Sequence, residues 1–195
     1  NTAQLQASVD ALKKFILEYK PSVPDLPCIN IMVCGASKTS KTSLIKALGL
    51  LLGANIQAND DDKKKKKKKS SADSSTTWNS TLVTPCIKLW DSGNWTKTTQ
   101  ESFAAMLNGA LPSGSGASGD SMAANHNNVA ALHESPQVLQ QNKMHQVLVC
   151  KSAASIQEDE AYADVTKQHM EAIKSLGIGT QVALTRLDLI EPKII

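Results

Sequence analysis

The chain has 195 residues, of which 41% are apolar, 20% charged and 4% aromatic, enough for one domain with an aliphatic core. Its formal charge of +3 is local: Lys63 to Lys69 supply seven of the 21 basic residues and Asp60 to Asp62 three of the 18 acidic ones, so the rest is close to neutral. That removes the charge argument for a nucleic-acid partner, and no apolar run is long enough to cross a membrane as a helix.

Residues 2–19 carry Leu5, Val9, Leu12 and Phe15 or Ile16 at helical spacing, which predicts an amphipathic helix. The three prolines of "KPSVPDLP" end it, so residues 1–27 read as an N-terminal helix and linker. "CINIMVC" (28–34) is a near-continuous apolar run, the pattern of a strand buried on both faces in a parallel sheet. A short loop follows, then an apolar helix from Lys41 that stops near Gly53. Residues 54–75 break the composition with Asn, Asp, seven lysines and Ser, and read as a disordered insert.

"TTWNSTLV" and "PCIKLWDSGNW" read as a strand pair, and residues 99–111 as a helix. Residues 112–142, rich in Ser, Gly, Asn and Gln, read as a second low-complexity loop. "HQVLVC" (145–150) predicts a strand, residues 159–177 a helix stopped by Gly177, and "TQVALT" (180–185) a last strand. Alternating strands and helices predict an α/β domain over 28–195 with a mostly parallel sheet.

Several residues read plainly. Cys28, Cys34, Cys86 and Cys150 form no C-x-x-C pair, and read as reduced thiols of a cytoplasmic protein. His126, His133, His145 and His169 have no ligand spacing. Glu158 to Glu160 favour a helix start, and Trp78, Trp90 and Trp95 read as packing residues.

The first chemical signal is "GASKTSKT" (35–42), which departs from the phosphate-loop pattern G-x-x-x-x-G-K-[ST] only at Ser40, where glycine is expected. Backbone N–H groups from Gly35 through Ser37, Lys38, Thr39, Ser40, Lys41, Thr42 and Ser43 would cradle phosphates at the helix start. Lys41 would reach the β and γ oxygens, and the Thr42 hydroxyl would ligate Mg²⁺. The second signal is Asp91 at the end of "IKLWDSGN", placed as the strand-terminal Asp that holds Mg²⁺ through water. Its glycine comes one residue early, at Gly93, with Asn94 in the expected place. The third is "TRLD" (185–188), similar to the guanine-reading [N/T]-K-x-D motif. Asp188 would accept hydrogen bonds from guanine, while the stem of Arg186, the chain's single arginine, would lie over the base. Thr76 and Thr77 are the first candidates for the switch threonine that caps Mg²⁺, with Thr81 or Thr84 behind them.

These three motifs, in this order on strand ends, resemble a P-loop GTPase domain. Within that class the chain is similar to the interferon-induced protein 44 family, through "EYKPSVPDLPCINIMVCG", "LWDS", "FAAMLNGALP", Leu176 to Ile178 and the "LTRLD" segment. The resemblance implies a three-layer, Ras-like P-loop fold truncated after the base-recognition strand. It implies a GTP- and GDP-binding protein with Mg²⁺ and slow or partner-dependent hydrolysis, since no glutamine follows "DSGN" and no cis arginine is free. Self-association or a protein partner is the implied source of activation. The second expectation is a pseudo-GTPase that keeps the fold as an interaction module, because two phosphate-facing glycines are missing. An ATP-using P-loop enzyme is the third. No side chain is assigned as catalytic.

Overall fold

The computed structural model describes residues 2–54, 78–111, 113, 136–153 and 163–186. In chain order these form α1 (Thr2–Glu18), β1 (Ile29–Cys34), α2 (Lys41–Leu51), β2 (Asn79–Thr84), β3 (Ile87–Asp91), a 3₁₀ turn (Trp95–Lys97) and α3 (Gln100–Leu107). Then come α4 (Pro136–Asn142), β4 (Gln146–Ser152), α5 (Ala163–Ser175) and β5 (Gly179–Thr185). The strands make one sheet in the order β2-β3-β1-β4-β5, parallel except for β2, which runs antiparallel to β3.

The apolar run of β1 puts it at the centre, where Met32, Val33 and Cys34 are fully buried. Successive side chains point to opposite faces, so β1 feeds two cores. Met32 and Cys34 join Trp90, Val147 and Val149 under Phe103, Met106 and Leu107 of α3 and Ile173 of α5. Val33 joins Val83, Leu89 and Cys150 under Ile45 of α2, with Ile16 of α1 packed against them. Helices therefore cover both faces of a five-stranded, mostly parallel α/β sheet.

One polar residue interrupts β1. Asn30 is fully buried, and its side chain donates to the carbonyls of Gln141 (2.6 Å) and Lys143 (3.0 Å) while accepting from the Trp90 indole N–H (3.0 Å). Its backbone N–H donates to His145 Nδ1 at 3.0 Å. This hub ties the start of β1 to the approach to β4, and every partner is satisfied. The three tryptophans are packing residues: all are buried, Trp78 stacks on Trp90 at 4.8 Å, and Trp95 meets Phe103 edge-on at 6.2 Å.

Two expectations change. The stretch 112–142 is not loop to its end, because Pro136–Asn142 is helical, with proline at a helix start that needs no N–H from it. The apolar stripe of α1 is only partly used: no residue of the helix is buried, and Leu5 (68%), Leu12 (62%) and Phe15 (68%) stay exposed. Thr76, Thr77, Asp188, Glu158 to Glu160, His126, His133 and most of the two low-complexity stretches lie outside the described residues. Among the described residues, no helix is long and apolar enough to cross a membrane.

Candidate functional site

The carboxyl ends of β1 and β3 open on one crevice, and the end of β5 is tied to the loop beside it. The sheet grows outward from β1 in both directions, and open α/β sheets take ligands at such a switch point. The loop 35–40 fills that place and runs straight into α2.

Its shape needs Gly35. That residue has φ +145, and a Cβ there would stand 2.3 Å from the Cys150 carbonyl oxygen of the neighbouring strand. Lys38 and Ser40 are also left-handed, with φ 62 and φ 60. A non-glycine residue in that region is strained by about 1–2 kcal/mol, so the loop holds its curl against local preference. The Ser40 side chain does not offset this, since it makes no capping bond to α2, although its carbonyl accepts from Leu44 N–H at 2.9 Å. Thr39, buried between the two, donates its hydroxyl to Ala36 O at 2.9 Å.

Lys41 opens α2 and is 7% exposed. Its ammonium turns back into the loop, donating to Ala36 O at 2.6 Å and to Thr39 Oγ1 at 3.3 Å. Burial lowers its pKa, and the nearby Asp91 carboxylate pulls the other way. One residue on, Thr42 Oγ1 donates to Asp91 Oδ2 at 2.5 Å. The other Asp91 oxygen accepts from Gly93 N–H at 2.9 Å. Two segments 49 residues apart in sequence thus share one carboxylate.

The segment after β3 is anchored to the same place. Ser92 N–H donates to Val33 O (3.1 Å) and Trp95 N–H to Gly35 O (3.4 Å). Asn94 caps the 3₁₀ turn by accepting from Thr96 N–H at 3.3 Å and from its hydroxyl at 2.8 Å. A cavity of about 220 Å³ remains, walled by residues 37–43 with Asp91, Gly93 and Asn94.

The structure therefore gathers most of the residues singled out from sequence: Ser37, Lys38, Thr39, Ser40, Lys41, Thr42, Ser43 and Asp91 around the cavity, with Gly35 beneath it. Thr185 and Arg186 flank the loop from the end of β5. Thr185 Oγ1 donates to Thr39 O (3.0 Å) and lies 3.2 Å from Lys151 O. Arg186 points Nη1 at Lys38 O, 3.5 Å away. Asp188 and Thr77 lie outside the described residues.

Sequence reasoning missed the support behind this wall. His169 of α5 is buried, stacks on Phe103 at 4.0 Å and lies 5.4 Å from Trp95. Burial lowers its pKa to about 4, a hydrogen bond to the Thr98 backbone working against the shift. No local pattern announces such a residue, since its neighbours come from distant segments.

Mg²⁺ takes hard oxygen donors in a near-octahedral shell. The Thr42 hydroxyl and Asp91 carboxylate are hard oxygen donors of the kind it prefers, and two protein oxygens suit an ion that completes its shell with phosphate and water. Among the described residues, no group of three or more His, Cys, Asp or Glu could hold a metal alone. Compared with protein-family models, curated proteins and solved structures, the chain matches none.

Proposed function

We propose that the chain is a P-loop nucleotide-binding protein of the Ras-like kind that takes GTP and GDP with Mg²⁺ and hydrolyses GTP slowly or with a partner's help. The observation that carries the reading is the shared carboxylate. Thr42 stands at the start of α2, behind a buried lysine and a left-handed loop, and its hydroxyl meets Asp91 on the adjacent parallel strand at 2.5 Å. Phosphate oxygens would enter the cavity against the loop N–H groups and the start of α2. Lys41 would exchange Ala36 O for phosphate oxygen, and Thr42 with Asp91 would hold Mg²⁺, which neutralises charge on the bound phosphates.

The strand order β2-β3-β1-β4-β5, with β2 antiparallel, is compatible with this class of fold. The preference for guanine rests on the T-R-L-D pattern, of which Thr185 and Arg186 sit beside the loop. The sequence pattern resembles that of the interferon-induced protein 44 family, and a cytoplasmic location goes with that reading.

A second reading has its own observation. Ser40 carries a Cβ in a left-handed residue, and Lys41 already satisfies its ammonium within the loop. A pseudo-GTPase whose loop is self-closed, acting as an interaction module, has these features. Metal dependence separates the two. In the nucleotide reading, GDP affinity falls when Mg²⁺ is chelated, and Asp91→Asn loses most of that dependence. Competition then addresses the base: GTP and GDP displace a labelled guanine nucleotide where ATP does not, and Asp188→Asn favours xanthine nucleotides. ATP competing as well as GTP would refute the guanine assignment.

A further inference from the structure

The cavity holds two lysines that are built in opposite ways. Lys41 is buried and its ammonium is turned onto Ala36 O and Thr39 Oγ1. Lys38 has a fixed backbone and a free head. Its φ of 62 is left-handed, its carbonyl faces Arg186 Nη1 at 3.5 Å, and the next carbonyl, of Thr39, accepts from Thr185 at 3.0 Å. Its side chain is exposed on the cavity wall, and among the described residues no hydrogen bond or ion pair engages its ammonium. Arg186 cannot take the same place while its guanidinium faces the Lys38 carbonyl from the flank of the loop.

We propose that Lys38 is the cis cation of the site, closing over the terminal phosphate of GTP and neutralising the charge that shifts as the phosphoryl group leaves. The proposal rests on the nucleotide reading above. In the step, a water oxygen bonds to the γ-phosphorus, and the bond from that phosphorus to the β–γ bridging oxygen breaks. The electron pair stays on the β-phosphate of GDP, and both protons of the water leave with inorganic phosphate, one on the attacking oxygen and one on a γ-phosphate oxygen. Lys38 gives and takes no proton; its contribution is electrostatic and felt when charge moves toward the bridging oxygen. A buried, pre-engaged Lys41 suits ground-state binding, and an unengaged Lys38 on a fixed base suits a contact made late.

Lys38→Ala and Lys38→Arg test this, because both keep a Cβ on the same left-handed residue and so share the backbone strain. Three quantities are measured with Mg²⁺: GDP affinity, the tightening of GDP by aluminium fluoride, and single-turnover GTP hydrolysis. Lys38→Ala is expected to hold GDP within about threefold of the parent, to lose hydrolysis on the order of 10²-fold, and to lose the fluoride response; Lys38→Arg retains both. If Lys38→Ala binds GDP normally and keeps hydrolysis and the fluoride response, the Lys38 assignment falls while the nucleotide site stands. If both variants lose GDP affinity as much as hydrolysis, the residue shapes the loop and the assignment falls. A parent that binds GDP but shows neither hydrolysis nor a fluoride response also overturns it, and a parent that binds no guanine nucleotide overturns this proposal and the site reading together.

Discussion

Replacing Ser40 by glycine should make the protein more stable. Ser40 sits at φ 60, ψ 23 and forms no side-chain capping bond, so glycine removes a strained Cβ and forfeits no cap. Relief of the left-handed conformation is worth about 1–2 kcal/mol. Against it stands the greater freedom of glycine in the unfolded chain, about 0.5–1 kcal/mol. The difference spans about 0–1.5 kcal/mol, with a central gain of about 0.75 kcal/mol. For a chain of this length each kcal/mol moves Tm by about 2–4 °C, so the central rise is about 1.5–3 °C. Urea and thermal unfolding measure it, with two controls. Ser40→Asn should sit near the parent, because asparagine tolerates this region, and Ser40→Val should fall below it, because a β-branched residue does not. A glycine variant no more stable than the parent, together with a valine variant equal to it, would refute the left-handed loop.

Other outcomes follow from the same geometry. Asn30→Ala leaves the Trp90 indole N–H and the carbonyls of Gln141 and Lys143 without their partner, a loss of about 3 kcal/mol or more by urea unfolding. Asn30 lies at the opposite end of β1 from the loop, so nucleotide affinity of the folded variant should not change. Acid should destabilise the chain through His169. Unfolded, it takes a proton near its ordinary 6.5; folded, it resists until about 4. The unfolded state binds more protons in that window, so stability falls as pH falls from 6.5 toward 4, by up to about 3 kcal/mol. His169→Leu removes this titration and should flatten that part of the pH–stability curve, while losing the hydrogen bond to the Thr98 backbone and with it about 1–3 kcal/mol at neutral pH.

The parts of the fold legible in sequence are those where one physical signal dominates. The apolar runs of β1 and β4 have few other readings than buried strands, and both are central. The loop was legible because its Gly, Lys and Thr stand at fixed offsets between a strand and a helix. What it could not show was that Ser40 accepts the left-handed conformation instead of reshaping the loop. Asn30 was a visible oddity in "CINIMVC", but its partners are more than 100 residues away in two cases and 60 in the third, beyond any local pattern. Asn94 stood out as a misplaced residue in D-x-x-G. It proves to be the cap of a 3₁₀ turn whose Trp95 N–H binds Gly35 O. The stripe on α1 predicted a helix correctly and its packing only in part. Periodicity says which face is apolar, and only the tertiary contacts say how much of it is covered.

The most direct measurement is a titration of the whole chain with labelled GDP and GTP in the presence of Mg²⁺, beside Lys41→Ala. Lys41 is the buried cation whose ammonium lies in the loop, and its removal should weaken binding by about tenfold or more without unfolding the protein. The account predicts parent affinities well below the millimolar range and a clear loss in the variant. Parent affinities no tighter than millimolar, with Lys41→Ala indistinguishable from the parent, would contradict it.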